Sequence, residues 1–191
     1  MRGAKNAVKP RVVIAGGAFA ARCAAVLRDM FGDSVNGICR NKGKFGSGIC
    51  PEPGKFRDGL SVEFAGELAP DPESGGLADI LIVNSEGDVP RFGALRQGGV
   101  IVANSDEKGL IGAIGELGYS GSTVVTYGLN GRACVTVSSV SERSVVLCVQ
   151  RSLPTLGGSL LEQQEFAVPL PEGRDIYGAL AANTAALLIG R

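Results

Sequence analysis

The feature that most constrains this chain is a repeated alternation of short, apolar, mostly β-branched runs with segments of helical periodicity. The first run, residues 11–15, ends at Gly16 and Gly17, and the apolar residues after it recur at the spacing of one face of an amphipathic helix, with Gly32 as its stop. Three further runs of this kind follow, at residues 80–84, 100–104 and 123–128, and Gly98-Gly99 is predicted to form a turn before the second of them. Strands that alternate with helices predict a parallel sheet.

The last third of the chain has a different pattern. Segments 134–140 and 145–150 are close enough in sequence to pair as antiparallel strands, and 166–170 can add a third. An alanine-rich helix over 176–188 closes the chain. We therefore predict a three-layer α/β fold of the P-loop or Rossmann type, with a mostly parallel sheet flanked by helices and an antiparallel extension near the C-terminus. Residues 1–10 are predicted to be a flexible arm, and 11–191 a single domain.

The composition agrees with this fold and excludes some functions. Hydrophobic residues make up 45 % of the chain, aromatic residues only 5 %, so the core must consist of Val, Ile, Leu and Ala. Basic and acidic residues balance at 19 each, which argues against binding nucleic acid or an anionic membrane. No apolar run approaches the ~20 residues that span a membrane, and no export signal is visible. With free thiols, this predicts a cytoplasmic protein.

Metal and thiol chemistry are not indicated. The chain has no His, and its five cysteines show no Cys-x-x-Cys spacing, so we expect neither a metal nor a disulfide framework. Three of them, Cys23, Cys134 and Cys148, lie among apolar residues and are predicted to be core thiols. The other two, Cys39 and Cys50, flank a predicted surface loop over 40–59 that is rich in Gly, Pro and Lys.

That loop leaves three interpretations open. Its basic residues can form an anion-binding loop or a simple solvated surface. In the third, a second strand follows the first helix and ends at Arg40, which meets the 2′-phosphate of NADP in a dinucleotide fold. The basic residues concerned are Arg40, Lys42, Lys44 and Lys55.

Three segments of the second half together resemble the central, nucleotide-binding domain of the Mur ligases. Val102-Ala103-Asn104-Ser105-Asp106-Glu107 is similar to a family strand that ends in an Asn-x-Asp-Asp turn. Thr126-Tyr127-Gly128-Leu129 is similar to the following strand and its exit. The hairpin, residues 165–170 and residues 175–183 then follow the family's order of late strands, polar turn and final helix. The resemblance covers about residues 100–190.

The first half departs from that family. The ligases carry Gly-Thr-x-Gly-Lys-Thr/Ser after their first strand, where backbone N–H groups, the Lys and the hydroxyl hold phosphates and Mg²⁺. Here the stretch reads Ala15-Gly16-Gly17-Ala18-Phe19-Ala20-Ala21-Arg22, with Ala20 in place of the Lys and Ala21 in place of the hydroxyl. The resemblance therefore implies a degenerate nucleotide site without autonomous ATP-driven ligation.

Four residues are candidates for binding an adenine nucleotide or a related ligand. Gly16 and Gly17 can receive a phosphate at a helix N-terminus, or simply form a tight strand-to-helix turn. Asn104 and Asp106 lie past a parallel strand, where such sheets bind ligands, and the resemblance places them near the adenine. Both also suit capping of a helix that begins near Lys108. In the late turns, Arg151, Arg174 and Asp175 are either a ligand edge or surface turn residues.

Three functions follow from these observations. The first is a non-catalytic Mur ligase-like domain that binds a nucleotide or related small ligand weakly, or serves as an interaction module. The second is a Rossmann-like oxidoreductase or NAD/NADP-binding protein, supported by Arg40 and the glycine turn. The third is a structural subunit of a homo-oligomer or larger complex, supported only by the apolar, alanine-rich last helix.

Overall fold

The computed structural model describes residues 10–32, 35–39, 60–65, 77–89, 95–119, 121–170 and 175–190. The three α-helices of this part are α1 (Gly17–Phe31), α2 (Leu110–Glu116) and α3 (Ile176–Ile189). Its strands are β1 (Arg11–Ala15), β2 (Val35–Cys39), β3 (Leu60–Ala65), β4 (Ala78–Val83), β5 (Leu95–Asn104), β6 (Thr123–Tyr127), β7 (Val135–Val140), β8 (Ser144–Val149), β9 (Leu153–Pro154), β10 (Leu160–Leu161) and β11 (Gln164–Pro169). A short 3-10 helix, Glu86–Asp88, follows β4.

Nine of these strands form one sheet in the order β11-β8-β7-β6-β5-β4-β1-β3-β2. All neighbours from β2 to β7 are parallel, whereas β8 pairs antiparallel with β7 and β11 antiparallel with β8. The two short strands β9 and β10 pair only with each other. The predicted mostly parallel sheet with an antiparallel extension is confirmed.

Helices cover both faces of the sheet, and the strands alternate between them. Val12 and Ile14 of β1 pack in the core cluster formed with α1 and α3. Val13, between them, packs in the cluster that contains Leu110 and Ile114 of α2. Because successive side chains of a strand point to opposite faces, one continuous apolar run supplies both cores. The predicted three-layer α/β architecture is thereby confirmed.

The last helix is buried within the fold. Helix α3 contacts α1 and strands β4, β5, β6 and β7, and all of its residues from Gly178 to Ala186 are buried, as is Leu188. Its many alanines permit close packing against the sheet. The apolar character that favoured a structural subunit is therefore accounted for by contacts inside this chain. No helix in the described residues combines the length and apolarity needed to cross a membrane.

Some sequence predictions need correction. Gly98 and Gly99 were expected to form a turn before a strand at residue 100, but both lie inside β5, which begins at Leu95. Gly98 has a φ of +74°, and the pairing of β4 with β5 shifts register nearby. The glycines therefore permit an irregularity within a strand. Cys148 was expected in the core, but it is only half-buried, since it lies on the less covered face of β8.

Other predictions fall outside the described residues. The loop over 40–59, with Arg40, Lys42, Lys44, Lys55 and Cys50, lies there, as do residues 1–9 and Arg174. For Cys39 only the backbone, at the end of β2, is described.

Candidate functional site

The candidate site lies where the parallel strands end. Gly16 follows β1, Asn84 follows β4, Asn104 ends β5 and Gly128 follows β6. These four strands are adjacent in the sheet in the order β6-β5-β4-β1. Because the carboxyl ends of parallel strands share one edge, the structure brings all four predicted residues, Gly16, Gly17, Asn104 and Asp106, to the same edge of the sheet.

The connection from β1 to α1 is a single residue. Strand β1 ends at Ala15 and α1 begins at Gly17, so only Gly16 lies between them. Gly16 has a φ of +102°, and its carbonyl already accepts the helical hydrogen bond from Ala20 N at 2.8 Å. Ala20, which stands where the resemblance expects a lysine, is 2 % exposed and packs in the core. The tight-turn interpretation of Gly16 and Gly17 matches this geometry.

A carboxylate lies over this turn. A Cβ added to Gly16 would come within 2.6 Å of Asp88 Oδ2, so the Asp88 side chain occupies the space above the glycine. Ser85 Oγ donates a hydrogen bond of 2.6 Å to the same oxygen and holds the carboxylate there. The N-terminus of α1, which favours anions, therefore already has an acidic side chain beside it.

Asn104 belongs to a buried polar network at the end of β5. Its Nδ2 donates to Asn84 Oδ1 at 3.2 Å, and its Oδ1 accepts from Asp106 N at 3.0 Å. Tyr127 OH also donates to Asn84 Oδ1, at 3.0 Å, and burial raises the pKa of this phenol. Asn104 itself is only 6 % exposed. Its amide is thus largely engaged by the protein, which fixes the ends of β4, β5 and β6 relative to one another.

Asp106 collects donors from two later segments. Its Oδ2 accepts from Leu129 N at 2.6 Å and from Tyr177 OH at 3.1 Å, and its Oδ1 accepts from Asn130 Nδ2 at 2.6 Å. Partial burial raises the pKa of this carboxyl, but the hydrogen bonds from Leu129, Asn130 and Tyr177 outweigh it, so the net pKa is lowered. Asp106 is therefore held as a carboxylate that joins β5 to the β6 exit and to α3.

Neither Asn104 nor Asp106 caps α2, so the interpretation of these residues as helix caps is wrong. Helix α2 begins at Leu110, two residues past Lys108, and its N-cap is Gly109 in the left-handed conformation, without a side-chain cap. Asn104 and Asp106 instead form the turn after β5 and its links to other segments. Their short polar side chains suit such turns as well as they suit caps, so the residue types alone did not distinguish the two.

The N-terminus of α3 completes the site. Asp175 is its N-cap, accepting from Gly178 N at 3.1 Å, and it also accepts a hydrogen bond from Arg22 Nε of α1. Beneath this contact the Cys23 thiol is fully buried; burial, and then the charge of Asp175, raise its pKa. Cys23 is thus a neutral core thiol, as predicted, and Arg22 is paired with Asp175.

Arg151, the other predicted late-turn residue in the described part of the chain, contacts the backbone of the turn after β6. Arg151 Nη2 donates to Arg132 O at 3.0 Å, which links the ends of β6 and β8 through their following turns. Among the described residues no group of three or more Cys, Asp or Glu side chains is arranged to hold a metal ion.

Four contributors were missed from the sequence: Asn84, Asp88, Asn130 and Tyr177. Asn84 follows a predicted strand, so the rule that placed Asn104 at this edge also applied to it. The acidic turn 86–88 after the same strand was a weaker signal. No local pattern brings Tyr177 to Asp106, because that contact depends on how α3 packs across the sheet.

Comparison with solved structures identifies the architecture. The fold is similar to that of UDP-N-acetylmuramoylalanyl-D-glutamyl-2,6-diaminopimelate–D-alanyl-D-alanyl ligase from Acinetobacter baumannii, with a TM-score of 0.53 and 11 % identity over 96 % of this chain and 43 % of that one. The fold resembles that of the Mur ligases. A second similar structure is UDP-N-acetylmuramoyl-L-alanyl-D-glutamate–2,6-diaminopimelate ligase, with a TM-score of 0.55 and 16 % identity over 97 % of this chain and 45 % of that one.

The resemblance predicted from residues 100–190 thus extends over nearly the whole chain at the level of fold. The chain spans less than half the length of these Mur ligases. The sequence itself matches no protein-family model and no curated protein.

Proposed function

We propose that this chain is a non-catalytic Mur ligase-like domain that acts through interaction, with at most weak binding of an adenine-type ligand. The observation that carries the proposal is the single-residue connection between β1 and α1 at Gly16. A phosphate-binding loop of the Gly-x-x-x-x-Gly-Lys-Ser/Thr type needs several residues whose N–H groups wrap the phosphates. One residue cannot provide that wrapping, and the buried Ala20 has no cation to offer.

Electrostatics support the same conclusion. Asp88 lies over the Gly16 turn, so a bound triphosphate would bring several negative charges toward an existing one. Two unit charges 4 Å apart interact by about 4 kcal/mol at the effective dielectric constant of a protein surface. Arg22, the basic residue of the first turns of α1, is paired with Asp175. The site therefore disfavours nucleoside triphosphates.

The adenine base is neutral, so the Asp88 carboxylate does not repel it. An adenine-type ligand would lie beside Asn104 and Asp106, at the carboxyl end of β5, with Gly16 and Gly17 at the far side of the same edge. The polar groups of Asn104 and Asp106 already bond to the protein, so a ligand gains little by replacing those bonds. Weak binding, with little discrimination between ATP, ADP and adenosine, is the consequence.

The free thiols Cys23, Cys134 and Cys148 favour a reducing compartment such as the cytoplasm.

Titration calorimetry combined with a phosphate-release assay tests this proposal. With Mg²⁺ present, ATP, ADP and adenosine should each bind weakly, with dissociation constants of about 1 mM or higher and within about tenfold of one another. Asn104→Ala should weaken whatever binding is seen, whereas Glu107→Ala, at the exposed neighbouring position, should leave it unchanged. Phosphate release should equal that of buffer.

Two results would contradict the proposal. One is ATP binding far tighter than adenosine, which would require a working phosphate site. The other is magnesium-dependent phosphate release that a substitution at Gly17 abolishes, since that would place hydrolysis at the α1 N-terminus.

A further inference from the structure

The outer edge of β11 is a short strand edge with a defined set of hydrogen-bonding groups. Leu170 N donates to Arg143 O at 2.9 Å, and the register pairs Val168 with Val145 and Phe166 with Leu147. In an antiparallel ladder the inward-pointing N–H groups alternate, so Gln164, Phe166, Val168 and Leu170 face β8. The N–H groups of Glu165 and Ala167 therefore point outward. Pro169 has no N–H and ends this edge.

No described strand pairs with that edge. It therefore offers two donors, at Glu165 and Ala167, and the carbonyls of the same residues, which is enough for about four residues of an added strand.

A groove with both apolar and polar lining lies beside β11. It has a volume of about 410 Å³ and lies between the β9–β10 hairpin, β11 and the C-terminal end of α3. Its apolar side chains are Leu160, Leu161, Phe166 and Leu187, and its polar ones are Thr155, Ser159 and Gln164. Leu160 is 59 % exposed, although it is a large aliphatic side chain. Phe166 lines this groove from β11, so a strand added to β11 would place every second side chain on the same face of the sheet as the groove.

Two glutamates lie at the N-terminal end of β11 and on its opposite face, whereas the exposed Arg143 lies across from Leu170 at the other end of the strand. Glu162 and Glu165 are the only charged residues from 152 to 170, and both are exposed. Glu165 is on the face of β11 opposite Phe166, because neighbouring residues of a strand alternate. Gly190, at the C-terminal end of α3, also lines the groove, and that end of a helix carries partial negative charge. Arg151, which precedes this stretch, is directed to Arg132 O.

We propose that β11 binds an extended peptide segment of a partner protein, in which apolar residues alternate with Lys or Arg. Its backbone adds a strand to the sheet at Glu165 and Ala167. Its apolar side chains enter the groove lined by Leu160, Phe166 and Leu187, and its basic side chains face Glu165. This inference rests on the proposed role as an interaction module and names the class of partner.

A fluorescence anisotropy titration tests it, with a labelled, acetylated six-residue peptide of alternating valine and lysine as the probe. The expected result is saturable binding that weakens as salt is added. Ala167→Pro removes one outward N–H and no ladder bond, so it should abolish binding while the fold is kept. Glu165→Lys should lower affinity by about tenfold, because it replaces attraction with repulsion. Glu116→Lys, an exposed charge reversal on α2, is the matched control and should bind as the wild type does.

Hydrogen–deuterium exchange of the free protein separates this proposal from its alternatives. The amides of Glu165 and Ala167 should exchange fast without peptide and slowly with it, whereas those of Phe166 and Val168 should be protected in both states. Protection of Glu165 and Ala167 in the free monomer would mean that the chain covers its own edge. The same protection together with a dimer in sedimentation would make a second copy the occupant.

Either of those results would overturn the inference, as would an unchanged affinity in Ala167→Pro or equal binding of a valine–glutamate peptide. Absence of peptide binding would leave the nucleotide results intact, so the two proposals fail separately.

Discussion

Asp106 shows how one residue organises the edge where ligands bind in folds of this kind. Its two oxygens receive hydrogen bonds from Leu129 N, Asn130 Nδ2 and Tyr177 OH, which belong to the exit of β6 and the first turn of α3. A carboxylate whose acceptors are so fully used binds neither a metal nor a ligand donor without losing bonds to the protein. Its position was predictable from the sequence, and in this geometry its hydrogen bonds join β5 to the exit of β6 and to α3.

The residue-scale prediction concerns the contribution of Asp106 to stability and the pH dependence of that contribution. Asp106→Asn should lower the free energy of unfolding by about 1 kcal/mol near pH 7, since at least one of its part-buried or exposed donors loses its acceptor. The pKa of Asp106 is lowered from 3.8 in the folded state. A lowered carboxyl pKa adds stability that is complete above the unfolded pKa and is lost as the pH falls through 3.8 toward the folded value. The difference between wild type and Asp106→Asn should therefore shrink on acidification below about pH 4.

Urea unfolding of both proteins at a series of pH values measures this difference. Glu107→Gln, one position along and exposed, serves as the control and should cost little at any pH. A difference between wild type and Asp106→Asn that stays constant down to the acid limit of folding would show that the charge of Asp106 plays no part.

At the scale of elements, apolar patterns predicted where strands and helices form, but not which residues form the turns and caps at their ends. The runs at 11–15, 80–84 and 123–128 became β1, β4 and β6 within about two residues, because runs of apolar, mostly β-branched residues suit a sheet covered on both faces. Gly98 and Gly99 misled the prediction, since glycine marks irregularities inside strands as well as turns. Asn104 and Asp106 were ambiguous for the same reason, because their side chains suit helix caps and turns equally.

The candidate site was predictable only in part, for a related reason. The edge of the sheet follows from strand order, and so the sequence placed Asn104 and Asp106 there. The carboxylate of Asp88 over Gly16 and the phenol of Tyr177 on Asp106 depend on tertiary packing across many residues. No periodicity or local motif encodes those contacts.

The element-scale prediction concerns the start of α3. Asp175 both caps α3 and pairs with Arg22, whose side chain is 54 % exposed. Asp175→Ala should cost about 1–2 kcal/mol, because it removes an N-cap. Arg22→Ala should cost less than about 0.5 kcal/mol, because water screens an exposed partner.

A double-mutant cycle by urea denaturation measures the coupling between the two, which should be below about 1 kcal/mol. If Arg22→Ala proves as costly as Asp175→Ala, the ion pair and not the cap anchors α3.

At the scale of the whole molecule, α3 packs against both the parallel part and the antiparallel part of the nine-stranded sheet. It contacts β4, β5 and β6 of the parallel part, and also β7, which begins the antiparallel extension. Its C-terminal turn accepts a hydrogen bond from Leu156 N at Leu188 O, 2.7 Å away, and so reaches the β9–β10 hairpin as well. We therefore propose that residues 11–191 form one cooperative domain, in which neither part of the sheet is stable without α3.

Unfolding monitored at two points tests this last prediction. The chain contains no Trp, so a single introduced Trp reports only on its own surroundings. Phe19→Trp places the probe on α1 over the parallel strands, and Phe166→Trp places it on β11 in the extension. Within each variant, the fluorescence and far-ultraviolet circular dichroism transitions in urea should coincide, as two-state unfolding requires. The dichroism curve of the same variant controls for any stability change from the substitution. A fluorescence transition of Phe166→Trp well below its dichroism transition would show that the antiparallel extension unfolds independently of the rest.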